Sequence, residues 1–199
     1  MAEREVLSPY VEQKIKEKAL FYLKRGRPSD DEHTLRAVEY GKILLAKEGG
    51  NPLVVIPALY LHDVGWSRVD FSDFISFSVP EKKDAKSVLL HMKYGAELSR
   101  EILESINYDQ TLINKIVSII AIHDNPGKIL AMQDIDATIV FEADFLDKFG
   151  PGGKSRVSKM FGSKVQSEVM RYLHDYKSIL FITRTAKELL ARIEGVKNM

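Results

Sequence analysis

The chain of 199 residues contains no cysteine. Disulfides, zinc–thiolate sites and thiol nucleophiles are therefore excluded. Histidine is scarce, with 5 residues, and there is a single tryptophan. Neither sign of charge dominates: 29 Lys and Arg meet 28 Asp and Glu, for a net charge of +1. The two signs are interspersed, which speaks against the one-sided basic surface that a nucleic-acid partner needs. A small acidic substrate stays compatible, because a local basic pocket does not require a basic protein. No run reaches the roughly 18 apolar residues of a membrane-crossing helix, so no membrane partner is expected. The opening Met1-Ala2-Glu3-Arg4-Glu5 is charged and lacks the apolar core of a signal peptide. These absences lead to the expectation of a cytoplasmic protein. Abundant Lys and Glu without Cys is also a composition met in thermophiles.

Hydrophobic residues make up 45% of the chain, enough for a substantial core, and the length fits one domain over 1–199. The apolar pattern is mostly 3.6-periodic, which predicts an all-α fold. A first helix is expected over 8–24, broken by Gly26-Arg27-Pro28-Ser29. Ser29, Asp30 or Asp31 is a suitable cap for the next helix, which carries His33 and runs to Gly49-Gly50. Pro52 opens an apolar helix that ends in His62-Asp63-Val64-Gly65, with Pro57 in its first turn or at a kink. The stretch 66–84 reads as a long loop, a place for a lid or binding loop, and carries Arg68, Phe71, Phe74 and Phe77. Further helices are expected over 84–105, 109–123 and 135–149, with Asn125-Pro126-Gly127 and Gly150-Pro151-Gly152-Gly153 as stops. The tail 157–196 reads as one or two helices interrupted near 176–185. It either packs on the core or joins two chains in a homodimer. Gly150 to Ser155 is not a phosphate-binding loop, because a glycine is missing where Lys148 stands and the segment follows a helix rather than a strand.

The histidines carry the functional signal. His33 is followed by the pair His62-Asp63, then by His91, His123 and Asp144, all on segments that read as helical. Imidazole nitrogens and carboxylate oxygens are the ligands that borderline and hard divalent metals take. Asp144 sits among Ile139, Val140, Phe141, Phe145 and Leu146. A carboxylate there is costly unless it is paired or metal-bound. Adjacent helical residues point about 100° apart, so His62 and Asp63 share a target only if the helix ends there, a role assigned to Gly65. His174, outside the pattern, reads as structural. Asp147 reads as a solvated group or a partner behind the ligands.

In this order the residues resemble the HD-domain superfamily, best known for metal-dependent phosphohydrolases. The likeness covers about 31–153, with the C-terminal helices packed on that core. It implies an HD-domain-like helical bundle with the metal between packed helices. It also carries over His33, His62, Asp63 and Asp144 as ligands of one divalent ion, whether Mn, Mg, Fe, Co, Ni or Zn. Members that bind a second ion have two more histidines, and His91 and His123 stand in those places. His91-Met92-Lys93-Tyr94-Gly95-Ala96 looks like the His-x-x-x-Gly-Ala helix start of many members. Two segments are similar to small stand-alone HD hydrolases acting on nucleotides: Glu142-Ala143-Asp144-Phe145-Leu146-Asp147, with its following glycine turn, and the tail from Arg184 to Ala191. Two features depart from other members. Gly65 is followed by Trp66, not Lys, and no Gly-Tyr-Pro occurs, unlike the cyclic-dinucleotide phosphodiesterases. His123 is followed by Asp124 where a second histidine is often found.

The resemblance implies a hydrolase cutting a phosphate ester or anhydride of a nucleotide or similar small phosphorylated compound. Asp63, His91 and His123 are the candidate catalytic residues, the histidines binding either a second metal or, when protonated, phosphate. Arg36 and Lys93 are candidate phosphate clamps. Two alternatives stay open: a di-iron oxygenase, which uses the same six ligands, and a non-catalytic module that binds metal and a ligand.

Overall fold

The computed structural model describes residues 6–70 and 86–195. Among them the chain is helical and contains no strand. The helices are α1 (Pro9–Leu23), α2 (Asp30–Glu48), α3 (Pro52–Leu61), α4 (Lys86–Glu104), α5 (Gln110–Ile120), α6 (Pro126–Met132), α7 (Ile135–Phe149), α8 (Pro151–Leu180) and α9 (Arg184–Gly195), with a 3₁₀ turn at Val64–Arg68 between α3 and α4. Of the expected loop over 66–84, Phe71, Phe74 and Phe77 lie outside the described residues, while Arg68 pairs on the surface with Glu97 and Glu101.

Most helix starts follow local chemistry. Ser8, Asn51, Asp109, Asn125 and Asp134 each accept a hydrogen bond from a first-turn amide of the helix that follows. Pro9, Pro52, Pro126 and Pro151 sit in first turns, where no amide hydrogen is needed. Ser29 departs from expectation. It stands at the start of α2 with φ 61° but makes no capping bond. The carboxylate of Asp30 instead accepts from the Arg27 amide at 3.0 Å.

α3 is the central element, with every residue from Val54 to Leu61 buried. Burying side chains such as Val54, Val55, Leu59 and Leu61 contributes about 1.5–3 kcal/mol each. Pro57 lies inside this helix rather than in its first turn. A proline removes the amide that would bond the carbonyl four residues back. Here Tyr108 Oη donates to that carbonyl, Leu53 O, at 2.7 Å, so the helix continues. α2, α5 and α7 pack around α3. α2 faces inward through His33, Ala37, Gly41 and Leu44, a stripe at helical spacing.

The second half differs from the sequence reading in two places. Asn125-Pro126-Gly127 does not only end a helix. Asn125 accepts from the Lys128 amide and starts α6. Gly150 likewise separates α7 from α8, which begins at once with Pro151. α8 breaks at Gly162, where φ is 82°. The interruption expected near 176–185 falls between Leu180 and Arg184. α8 packs on α7, and α9 packs on α7 and α2. The start of α9 is pinned by buried Glu142, which accepts from the amides of Ile182 and Thr183 at 2.6 and 2.8 Å. Glu48 adds a bond from the Thr185 amide at 2.7 Å. No described helix is long and apolar enough to cross a membrane.

Candidate metal centre

Four helices and one turn bring the histidines together. His33 comes from the buried face of α2, His62 and Asp63 from the end of α3, His91 from α4, His123 from the turn after α5, and Asp144 from the middle of α7. All six are at most 3% exposed. His62 and Asp63 turn inward because α3 ends at Leu61. His62 keeps helical angles, Asp63 shifts to φ −100° and ψ 1°, and the 3₁₀ turn follows.

Gly65 has a different role from the helix stop expected of it. A Cβ there would stand 2.0 Å from His91 O and 2.4 Å from Gly95 N. Its lack of a side chain lets the 3₁₀ turn touch the backbone of α4, bringing Asp63 and His91 into one site.

The donor atoms form two neighbouring groups. In the first, His33 Nε2 lies 3.0 Å from Asp144 Oδ1 and 3.3 Å from His62 Nε2. In the second, His91 Nε2 lies 3.3 Å from His123 Nε2, and Asp63 Oδ1 is 3.8 and 3.7 Å from the two. Asp63 faces both groups, since its Oδ2 lies 3.4 Å from His62 Nε2 and 3.7 Å from His33 Nε2. The sequence reading placed Asp63 with His33, His62 and Asp144. Its Oδ2 does face that set, 3.4 Å from His62 and 3.7 Å from His33, and its Oδ1 stands as near to His123 and His91, at 3.7 and 3.8 Å, so the carboxylate lies between the two groups.

Each ring is aimed by a contact behind it. His62 Nδ1 donates to Leu59 O at 2.7 Å and His123 Nδ1 to Ile120 O at 2.8 Å, both using carbonyls freed at a helix end. His33 Nδ1 lies 2.7 Å from Asp147 Oδ2. With Nδ1 carrying the hydrogen, Nε2 presents its lone pair to the cluster. His91 is aimed by stacking instead: the Trp66 ring lies 4.1 Å away at 10° to it, and Nδ1 finds no partner among the described residues.

This donor set fits divalent cations. Two imidazole nitrogens bound to one ion at about 2.1 Å stand roughly 3.0–3.4 Å apart for angles between square and tetrahedral. Both Nε2 pairs are at 3.3 Å. The electrostatics agree. Burial alone favours neutral His62, but Asp63 and Asp144 outweigh it and raise His62 to about 9, so positive charge is favoured at this spot. Burial lowers His91 to about 3, leaving its lone pair free. Burial opposes ionisation of Asp63 and Asp144, yet Arg27 and Lys148, with the neighbouring histidines, hold both well below the ordinary carboxylate value.

Of the two expected clamps, Arg36 reaches the centre only indirectly. Its Nε and Nη2 donate to Asp147 at 2.5 and 3.2 Å, bracing the carboxylate that orients His33. Lys93 has a side chain 67% exposed beside Glu97 and lies on the solvent side of α4. His174 is exposed near Glu194, away from the cluster.

Other residues escaped the sequence reading. Lys148 Nζ donates to Asp144 Oδ2 at 2.8 Å and lies 3.6 Å from Asp124 Oδ1, while Asp124 Oδ2 is 3.3 Å from His91 Nε2. The i, i+4 spacing of Asp144 and Lys148 was a readable signal. Arg27 contacts Asp63 Oδ2, and Trp66 Nε1 donates to Asp63 Oδ1 at 3.0 Å. Arg27 and Asp30, three residues apart at the start of α2, also left a local signal. Arg156, on α8, contacts Asp30 and lies 3.4 Å from Asp63 Oδ2, a long-range approach that no spacing announces.

Neither a search among curated proteins nor one among solved structures gives a match. A family model, the HD domain, matches residues 30–148. That span starts at the first turn of α2 and ends one turn past Asp144, enclosing both donor groups, and the chain belongs to the HD-domain family.

Proposed function

We propose that this protein is a metal-dependent phosphohydrolase acting on a phosphate ester or anhydride of a nucleotide or similar small phosphorylated compound. The observation that carries the reading is Asp63, a buried carboxylate facing two histidine groups with two arginines at its side. His33, His62 and Asp144 would hold one divalent cation, and Asp63, His91 and His123 a second. Cations at such donors bring the pKa of bound water toward neutral and polarise a phosphoryl oxygen. The protein's own groups set the frame for that chemistry. Asp147, Leu59 O and Ile120 O keep three Nδ1 atoms protonated, so three Nε2 atoms point inward. Trp66 covers His91 and excludes water from that side of the ring. Burial disfavours charged Lys148, but Asp144 and Asp124 raise its pKa, so it acts as a fixed cation rather than a proton acceptor.

The test is phosphate release from a panel of nucleoside mono-, di- and triphosphates and cyclic nucleotides, with protein loaded with Mn(II) or Fe(II). Turnover abolished by His62→Ala and Asp144→Ala is the expected result. A metal-loaded protein that releases phosphate from none of them refutes the reading. The shared position of Asp63 also favours a second reading, a di-iron oxygenase. Substrate-dependent oxygen uptake by the ferrous protein, without phosphate release, would establish that reading instead.

A further inference from the structure

Asp30 and Arg156 are 0% and 5% exposed, and neither belongs to the two donor groups. Asp30 holds two guanidinium groups, those of Arg27 and Arg156. Both reach past Asp30 to the same atom, Asp63 Oδ2. Arg27 also lies over the Trp66 ring, 4.2 Å from its centroid. Three helices and the 3₁₀ turn thus converge on one arginine pair at the edge of the metal centre. Arg156 Nε is buried and finds no acceptor among the described residues. An unmet charged donor in such a place is costly and calls for an acceptor.

Charge points the same way. Asp30, Asp63, Asp124, Asp144 and Asp147 face Arg27, Arg36, Lys148 and Arg156 within the cluster. With neutral imidazoles, these five carboxylates and four cations leave one net negative charge. One divalent ion turns that into one positive charge, and two ions into three. An occupied centre would therefore attract an anion, and any charge that Asp63 gave to the ions would be unavailable to the two arginines at its Oδ2. Two guanidinium forks braced by a buried carboxylate match a tetrahedral oxyanion.

We infer that Arg27 and Arg156, braced by Asp30, form the cradle that receives the phosphoryl group of the substrate, in place of the Arg36 and Lys93 expected from the sequence. This inference rests on the phosphohydrolase reading. Arg27 and Arg156 are substrate-binding residues, and Asp30 is a positioning residue.

The test uses the Mn(II)-loaded protein and inorganic phosphate as probe, with binding followed by titration calorimetry and metal content by elemental analysis. Arg27→Gln and Arg156→Gln each weaken phosphate binding by about tenfold or more, the loss expected of one charge-assisted hydrogen bond. Their metal content stays at the wild-type value, and Lys93→Gln binds phosphate like the wild type. If Arg156→Gln fails to fold by circular dichroism, Arg156→Lys and Arg27→Lys carry the test, since they keep the charge and lose the fork. Variants that retain metal and bind phosphate as tightly as the wild type overturn the cradle and leave the phosphohydrolase reading standing. A metal-loaded wild type that binds no phosphate overturns both.

Discussion

Replacing Gly65 by alanine tests how the centre is assembled. The added Cβ would meet His91 O at 2.0 Å, Gly95 N at 2.4 Å and Gly95 Cα at 2.9 Å. All three are backbone atoms, so no flexible side chain can move aside. Restoring an ordinary contact of 3.4 Å from 2.0 Å requires the 3₁₀ turn and α4 to separate by about 1.4 Å. Overpacking in a tight core costs about 1–3 kcal/mol and occasionally more, and a clash with backbone on both sides belongs at the upper end. We expect Gly65→Ala to lose about 3 kcal/mol of stability, read from urea unfolding followed by circular dichroism. Gly95→Ala is the internal comparison. Its Cβ would meet His62 O at 3.2 Å and a flexible Ile120 methyl at 3.3 Å. That mild crowding is offset by the gain of about 0.8–1.0 kcal/mol for alanine over glycine inside a helix, so the net change is close to zero. Metal content supplies a second readout. Metal–ligand distances tolerate about 0.2 Å, so, on the proposed two-ion reading, a shift of this size separates Asp63 from His91 and should lower the metal content to that of the group formed by His33, His62 and Asp144. A Gly65→Ala protein within about 1 kcal/mol of the wild type, or no less stable than Gly95→Ala, would refute the close-approach argument.

Asp147→Ala removes the acceptor that holds the His33 tautomer. Metal affinity should fall by about 10–100-fold in equilibrium dialysis, and an unchanged affinity would show that His33 needs no brace. Tyr108→Phe leaves Leu53 O, the carbonyl freed by Pro57, without its donor. A loss of about 1 kcal/mol in urea unfolding is expected, and no loss would mean water replaces the hydroxyl. Asp134 caps α7 by accepting from the amides of Asp136 and Ala137. Partial burial opposes its charge, but Lys115 and those amides hold its pKa below the ordinary 3.8. Its contribution is thus complete at neutral pH and is lost as the pH falls through the lowered folded value. Asp134→Ala should cost about 0.5–2 kcal/mol at pH 7. The gap from wild type should narrow steadily as the pH falls below about 4, and a gap independent of pH would exclude the charged cap.

The helices were legible because their signals are local. Caps such as Asn51 and Asp109, first-turn prolines and 3.6-residue periodicity are properties of a few neighbouring residues, and they are retained wherever the segment packs. α2 starts where its candidate caps place it, but Ser29 makes no side-chain capping bond, and Asp30 is engaged by Arg27 and Arg156. α6 is too short to register as periodic. Pro57 sits inside α3, and the carbonyl it frees, Leu53 O, is met by Tyr108, 55 residues further along the chain from Leu53.

The same division holds at the centre. The order His33, His62-Asp63, His91, His123, Asp144 was readable, because a metal site needs ligands of particular chemical types and the chain has few candidates. How those ligands group was not. Two oxygens of one carboxylate point to different neighbours, and only the approach of α4 to the 3₁₀ turn at Gly65 decides which neighbours those are. Arg36 lies one turn from His33, which made it a plausible clamp, yet Asp147 claims it. Arg156 lies 93 residues from Asp63 in sequence and 3.4 Å from it in space. Residue types and local periodicity determined the helices and supplied the set of candidate donor residues by themselves, and the order of those residues carried the resemblance to the HD-domain family. The partner of each charged side chain was decided by tertiary packing, because electrostatic and hydrogen-bond energies depend on distances between segments that no local pattern encodes.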